Sequence, residues 1–330
     1  MAKATKDKDD QQNKDEFEEK MKSLEGKFGK GSIYYGQSDD KEIQSISTGS
    51  LAFDLITRGG HKLGKLIEIF GPESSGKSTL TLHAIANFQK IGKCGIIDYE
   101  SSYDRTYAKR LGVNTDKLIL LQPSTMEDGY NMAEELIRTG KMSLLVMDSH
   151  TAAIPKVRLD ALIGETKIAP EARVNSEGLK KIKPLLLPNE CSLIGISQLR
   201  TNIGGYGDSN VPTGGNAWRF YSDIRYKVYK ELKKEDELNK TTIEVIKSKC
   251  YPPHGKATFN IVWGEGIDRQ KEIIDLAVEY KLIAKGGAAW YTVGETKLQG
   301  DDKLKEFLSD NSEYATQLEI DVLEKIKNGE

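Results

Sequence analysis

The sequence contains three cysteines, Cys94, Cys191 and Cys250, with no CxxC among them, and only four scattered histidines. An odd, dispersed set excludes a disulfide framework and a zinc ribbon or finger. Cys94 and Cys191 lie in or beside apolar strand-like runs, where a buried, inert thiol is the expectation. No run reaches the ~18 apolar residues of a membrane-spanning helix, and the N-terminus has no apolar leader core, so a cytoplasmic or nucleoid-associated location is expected. An excess of one charge is also missing: 48 Lys plus Arg against 50 Asp plus Glu leave −2. The average therefore advertises no polyanion, and any nucleic-acid site has to be a local basic patch. What is present is 38% hydrophobic residues in 330, enough for a sizeable core with smaller appendages.

Residues 1–15 carry mixed charge without apolar periodicity and are expected to be disordered. Phe17, Met21 and Leu24 mark a helix over Glu16–Lys27 whose single apolar stripe has to dock on the body or on a neighbouring subunit. Farther on, Leu66–Phe70, Cys94–Ile97, Leu118–Leu121, Leu144–Met147 and Cys191–Ile196 are short continuous apolar runs that alternate with helical periods such as Lys77–Lys90. That alternation predicts an α/β fold with a mostly parallel twisted sheet covered on both faces. Ser124 and Glu127 have capping-box spacing ahead of the stripe Met126, Tyr130, Ala133 and Ile137. After about Ser222, the runs Ile224–Tyr229, Thr242–Lys247 and Thr258–Val262 alternate apolar with polar residues and predict an antiparallel extension. Residues 268–330 return to helical periods around one short strand pair near Trp290, Tyr291 and Val293, which reads as a small C-terminal α/β lobe.

The strongest chemical signal is Gly71-Pro72-Glu73-Ser74-Ser75-Gly76-Lys77-Ser78, followed by Thr79: a complete Gx4GK[ST] between a strand and a helix. Its glycines let backbone N–H groups close around phosphate oxygens, and the helix N-terminus adds its dipole. Lys77 is expected to reach the β- and γ-phosphates of ATP, and Ser78 to ligate Mg²⁺. Asp148, at the end of Leu144-Leu145-Val146-Met147, holds the position of a second Mg²⁺ ligand. Glu100, at the end of Gly95-Ile96-Ile97-Asp98-Tyr99, is placed to polarise an attacking water.

These residues, with Asp98-x-Glu100, Ser197-Gln198-Leu199-Arg200, Thr213-Gly214-Gly215-Asn216-Ala217, Phe28-Gly29-Lys30-Gly31-Ser32-Ile33 and Ile46-Ser47-Thr48-Gly49-Ser50-Leu51, resemble the bacterial RecA recombinase family from about Phe28 to Trp290 in unbroken order. The resemblance implies a RecA-like P-loop ATPase that forms helical filaments on single-stranded DNA, pairs it with homologous duplex and serves recombination and repair. It implies Glu100 as the catalytic glutamate, Asp104 and Tyr107 holding the adenine, and Gln198 sensing the γ-phosphate. It also implies Lys247 and Lys249 reaching the ATP of the neighbouring subunit; period-2 spacing puts both on one strand face. The implied organisation is 1–36 tail plus N-terminal polymerisation helix, 37–267 ATPase core and 268–330 C-terminal lobe. A recombination mediator or single-strand-binding protein is a further implied partner.

Two loops are expected to hold DNA. The first, about Leu159–Ala172, leads into a helix with Arg173, Ser176 and Lys180 on one polar-basic face suited to phosphates. Ile168 occupies the place of an apolar residue that in the family wedges between bases. The second, about Thr201–Pro212, is rich in glycine and is expected to be mobile without DNA, with Ile203 as its aliphatic candidate for insertion; Gly214, Gly215 and Asn216 offer N–H and amide groups, and Arg200 and Arg219 add charge.

Departures from the family pattern are few. Ser78 stands where many members have threonine, the second loop is one residue shorter, and His150 stands where a small apolar residue is usual. The chain ends at Lys327-Asn328-Gly329-Glu330 without a long acidic tail, which implies weaker restraint on duplex binding and suits a phage-encoded form. A ring-forming motor on the same core shares the P-loop and sheet, but not the Phe28–Ile33 segment after an N-terminal helix or the paired-lysine strand. A scaffold that only binds nucleotide has no need of Lys77, Glu100 and Asp148 together.

Overall fold

The structure is a computed structural model of the chain and describes residues 2–29, 33, 43–162, 165, 169–201, 210–212, 215–230, 239–287 and 290–328. The chain divides into two compact units, 1–43 and 44–330. In the first, a single helix, α1 (Ala2–Phe28), begins at Ala2, so residues 2–15, expected to be disordered, belong to it. No proline or glycine occurs before Gly26, and Ala, Lys, Gln and Glu are strong helix formers that need no apolar stripe to favour this backbone.

The second unit opens with β1 (Ser45–Ile46), α2 (Leu51–Ile56) and β2 (His61–Lys62). Its α/β body follows as β3 (Leu66–Gly71), α3 (Lys77–Phe88), β4 (Lys93–Asp98), α4 (Arg105–Arg110), β5 (Ile119–Leu121), α5 (Met126–Arg138) and β6 (Met142–Asp148). Next come α6 (Lys156–Leu159), α7 (Pro170–Leu186), β7 (Ser192–Thr201), β8 (Asn210–Pro212), α8 (Ala217–Tyr221) and β9 (Ile224–Lys230). β10 (Asn239–Ser248), β11 (Lys256–Val262) and β12 (Gly266–Ile267) complete the sheet. The C-terminal lobe holds α9 (Arg269–Glu279), β13 (Ala284–Gly286), β14 (Trp290–Val293), β15 (Thr296–Gln299), α10 (Asp301–Asp310) and α11 (Ser312–Asn328).

The main sheet runs β12-β11-β10-β9-β3-β7-β6-β4-β5, with β8 paired to β7 off that path. The six strands from β9 to β5 are parallel, and β10, β11 and β12 extend the sheet in antiparallel fashion; Ile224–Tyr229, expected to open that extension, forms β9, which pairs parallel with β3 and antiparallel with β10. Alternation along β3 divides the core: Ile67 and Ile69 pack with Leu80 and Ile85 of α3, while Leu66 packs with Tyr130, Leu179 and Trp218 under α5, α7 and α8. Both faces are covered, which is why these strands read as continuous apolar runs rather than alternating ones.

Two local expectations need correction. The cap of α5 is Thr125, whose hydroxyl accepts from Asp128 N at 3.1 Å and donates to the Asp128 carboxylate at 2.7 Å. Thr125 and Asp128 meet the same spacing as Ser124 and Glu127, one residue later, and Glu127 instead accepts from Lys156 N at 2.9 Å. The lobe has three strands rather than one pair, because β13, an Ala-Lys-Gly run with no alternation to read, joins β14 through backbone pairing. Among the described residues no helix is long and apolar enough to cross a membrane.

The lobe docks through a buried carboxylate. Glu272 of α9 accepts from Ser50 Oγ at 2.5 Å and from the N–H groups of Leu51 and Ala52 at 3.2 and 3.3 Å, at the start of α2. Burial outweighs these donors and pushes the Glu272 carboxyl from 4.5 up to about 7. A raised folded-state value means protonation favours the folded chain. This contribution is complete below pH 4.5 and is lost as pH rises through about 7. Relative to Glu272→Gln, the unmodified chain should lose up to about 3 kcal/mol of unfolding free energy between about pH 5 and 8. Denaturant curves of the two proteins that run parallel across that range would contradict the assignment.

Candidate functional site

Four parallel strands, β3, β4, β6 and β7, deliver their C-terminal ends to one cavity of about 770 Å³, the usual place for a ligand in an open α/β sheet. The loop from Gly71 to Gly76 leaves β3 and closes onto α3, and Glu73 to Thr79 line the cavity. Gly76 caps α3 at φ +99°, a left-handed conformation that requires glycine at this turn. Lys77 is buried and donates to the carbonyls of Gly71 and Pro72 at 3.0 and 2.6 Å; burial lowers its pKa, while Asp148, Glu100 and Glu73 act to raise it. Ser75 Oγ is buried with no partner inside the loop. A cradle with an ammonium and an unsatisfied hydroxyl fits a polyphosphate.

Ser78 Oγ donates to Asp148 Oδ2 at 3.1 Å, so the two expected metal ligands touch. Burial, then the Glu100 charge, pushes the Asp148 carboxyl from 3.8 up to about 6. A hydroxyl beside a carboxylate is the hard-oxygen pair that suits Mg²⁺. β4 ends at Asp98, two residues before Glu100. The buried Asp98 carboxylate accepts from Glu100 N (3.1 Å), Ser102 N (3.3 Å) and Tyr103 N (3.1 Å), which fixes the turn that presents Glu100 to solvent. Glu100 accepts from Gln198 Nε2 at 2.8 Å and from Ser149 Oγ. The expected catalytic glutamate and phosphate sensor are therefore direct partners.

Asp104 caps α4, accepting from Thr106 N at 2.7 Å and Tyr107 N at 3.0 Å, and Tyr107 OH shares a 2.8 Å hydrogen bond with Thr79 Oγ1. Both line the cavity, and so do Tyr103, Arg110 and Trp263, which sequence reasoning missed. Trp263 is 92% exposed in the turn between β11 and β12, far from the P-loop in sequence. An aromatic ahead of Gly264 in a turn between two apolar strands was the available signal.

Lys247 lies in β10, which ends at Ser248, so Lys249 follows just beyond the strand. Lys247 Nζ donates to the carbonyls of Arg219 and Phe220 at 3.0 Å each, and Lys249 Nζ lies 3.2 Å from Asp223. The two stay close, since burial and then the Lys249 charge lower the Lys247 pKa. Neither lines the cavity of its own chain.

Arg173, Ser176 and Lys180 follow the Pro170 start of α7, with Arg173 and Lys180 exposed and Arg173 paired to Glu177 at 3.1 Å. Asn216 precedes α8, and a Cβ at Gly215 would meet Ala172 Cβ at 2.5 Å, so the ends of the two expected DNA segments abut. The expected second loop is flanked by strands: β7 continues to Thr201, and Leu199, Arg200 and Thr201 pair with Pro212, Val211 and Asn210. Backbone pairing of this kind needs no apolar alternation and left no sequence signal. Ile168, Ile203, Gly214 and the Arg200 side chain lie outside the described residues.

Comparison with known proteins agrees with this geometry. Residues 15–268 match the RecA N-terminal domain and residues 271–327 the RecA C-terminal domain. The chain is 42% identical over 314 residues to Protein RecA of Porphyromonas gingivalis, covering 92% of each. It is 40% identical to Protein RecA of Rickettsia bellii, over 92% of this chain and 91% of the relative, and 40% identical to that of Bordetella petrii, over 92% and 88%. With both domains matched in order and the nucleotide cavity in place, the chain belongs to the RecA family and is a DNA-dependent ATPase of recombination and repair.

Proposed function

We propose that the chain assembles head to tail on single-stranded DNA and that each ATP is shared by two subunits. One contributes the P-loop, Glu100 and Gln198; its neighbour contributes Lys247 and Lys249. The observation that carries this reading is the placement of the two lysines: close together, on the antiparallel side of the sheet, and absent from the cavity lined by Lys77, Ser78, Glu100, Asp148 and Gln198. Lys77 would hold the β- and γ-phosphates, and the Asp104–Tyr107 turn and Trp263 the nucleobase. Ser78 and Asp148 would hold Mg²⁺, which when bound neutralises charge on the phosphates. Glu100 orients a water and accepts its proton as the oxygen bonds to the γ-phosphorus and the bond to the β-phosphate bridge breaks.

Gln198 gives the site its state dependence. Its amide donates to Glu100 Oε1 at 2.8 Å. A γ-phosphate offers a competing acceptor, and a contact made in one state only is what a switch needs. Because Gln198 lies in β7, which continues to Thr201 at the edge of the second DNA segment, the change is delivered where DNA is gripped. Homology is then read by base pairing between the bound strand and a sampled duplex. A joint-molecule assay tests the reading: homologous duplex should yield ATP-dependent joint molecules and heterologous duplex none, and equal yields would refute it.

Arg173 is assigned to the DNA face. Arg173→Ala should weaken single-strand binding for all sequences alike and shrink the slope of log affinity against log salt by roughly 0.7, the loss of one phosphate contact. An unchanged slope would remove Arg173 from that face.

A further inference from the structure

His150 plays no part in the chemistry above, yet it is 2% exposed and joined to the elements that carry it. Its Nε2 lies 2.6 Å from Ser197 Oγ, Ser197 Oγ donates to Glu68 Oε1 at 2.8 Å, and Glu68 Oε2 pairs with Arg225 Nε at 2.5 Å. Because the Ser197 proton is committed to Glu68, His150 must donate through Nε2–H. Nδ1 then carries only a lone pair, in keeping with its having no donor partner among the described residues.

The chain of bonds crosses the sheet from the end of β6 through β7 and β3 to β9, where Arg225 faces Lys247 of β10. One end lies two residues from Asp148 and passes beside Gln198; the other reaches the lysine expected to serve the neighbour's ATP. The His150 ring also stacks on Trp218 of α8, with centroids 4.4 Å apart and planes 10° from parallel. Trp218 sits in a slot left by Gly195, where a Cβ would meet its ring at 2.2 Å, and its Nε1–H donates to Asn175 Oδ1 of α7 at 3.3 Å. Asn175 lies between Arg173 and Ser176. His150 therefore touches, through one stacked ring, both helices that border the DNA segments, and it reaches the strand of the phosphate sensor through its Nε2 bond to Ser197 and its backbone N–H to the Ile196 carbonyl at 3.2 Å.

We propose that His150 is a positioning residue that couples nucleotide state to DNA grip, with the His150–Trp218 stack as the moving contact and the Nε2–Ser197 bond as its anchor on the sheet. The proposal deepens the DNA-stimulated ATPase reading and rests on it. In a packed interior a displaced ring moves its neighbours rather than compressing them, so a shift at Gln198 reaches α7 and α8 together.

The test measures ATP turnover with and without oligo-dT. In His150→Val the DNA-free rate should stay within about 2-fold while stimulation by DNA falls at least about 10-fold, the size of an ordinary coupling between sites. His150→Phe, which keeps the stacked ring, should restore most of the stimulation; His150→Gln, which keeps a donor toward Ser197 but no ring, should not. Stimulation retained by His150→Val, or equal loss in the Phe and Gln variants, overturns the proposal. Absence of stimulation in the unmodified chain would instead sink the underlying reading. A second measurement covers a variant that fails to fold. In the unmodified sequence labelled with 5-fluorotryptophan and assigned through Trp218→Phe, the Trp218 ¹⁹F resonance should shift with a slowly hydrolysed ATP analogue and Mg²⁺, and again with oligo-dT. A resonance that responds to neither ligand overturns the coupling.

Discussion

Glu100→Gln should abolish nearly all DNA-stimulated ATP turnover, by roughly 10³-fold, while ATP-dependent binding to single-stranded DNA survives. Glu100 is exposed on a turn that the Asp98 carboxylate fixes through three backbone N–H groups, and the substitution touches none of those bonds. Glutamine still accepts from Ser149 and Gln198 through its carbonyl oxygen. What it loses is the ability to take a proton from water. Phosphate-release kinetics on oligo-dT, beside fluorescence anisotropy of the same oligonucleotide, separate the two properties. Parallel loss of both would mean that Glu100 serves the architecture of the site rather than its chemistry.

Removing the paired lysines should be comparably severe for a different reason. In Lys247→Ala combined with Lys249→Ala, turnover on DNA should fall by about 10³-fold or more, the range seen when a cation is withdrawn from a transferring phosphoryl group. Nucleotide affinity of the isolated chain should hardly change, because neither side chain lines its own cavity. Both lysines bond only weakly to the rest of their own chain: Lys247 to two carbonyls at the end of α8, and Lys249, 56% exposed, to Asp223 in an ion pair. Asp223 keeps Lys183 at 2.9 Å when Lys249 is removed, so its buried carboxylate stays paired. A thermal scan should therefore show a folded protein that binds ATP and cannot hydrolyse it.

What the sequence disclosed was mostly what is local. The P-loop, Asp148 after its apolar run and the parallel strands can be read because each signal occupies a short stretch of consecutive residues whose covalent spacing already sets the geometry. The stripe Met126, Tyr130, Ala133 and Ile137 is buried as its period requires. Where two polar residues offered equivalent capping geometry, Ser124 with Glu127 or Thr125 with Asp128, the pattern could not choose and packing did. Where β10 stops, at Ser248 and one residue short of Lys249, is settled by its pairing with β9 and not by the strand's own residues. Trp263 and the contacts among His150, Trp218 and Gly195 join segments far apart in the chain, and no spacing rule registers a glycine that is small because a distant indole occupies its space. His150, an unexplained departure in the sequence, becomes in the fold one end of a bonded path across the sheet.

If each ATP is completed by two copies of the chain, mixing two inactive proteins should restore activity. Glu100→Gln carries intact lysines, and the double lysine variant carries an intact Glu100. Combined in equal amounts on oligo-dT, they should form complete sites wherever the lysine variant binds the nucleotide and the Glu100 variant is its lysine-donating neighbour, restoring about one quarter of the unmodified rate in a head-to-tail assembly. Turnover in the mixture no higher than the mean of the two proteins alone, with co-assembly verified by energy transfer between labelled subunits, would contradict the shared site.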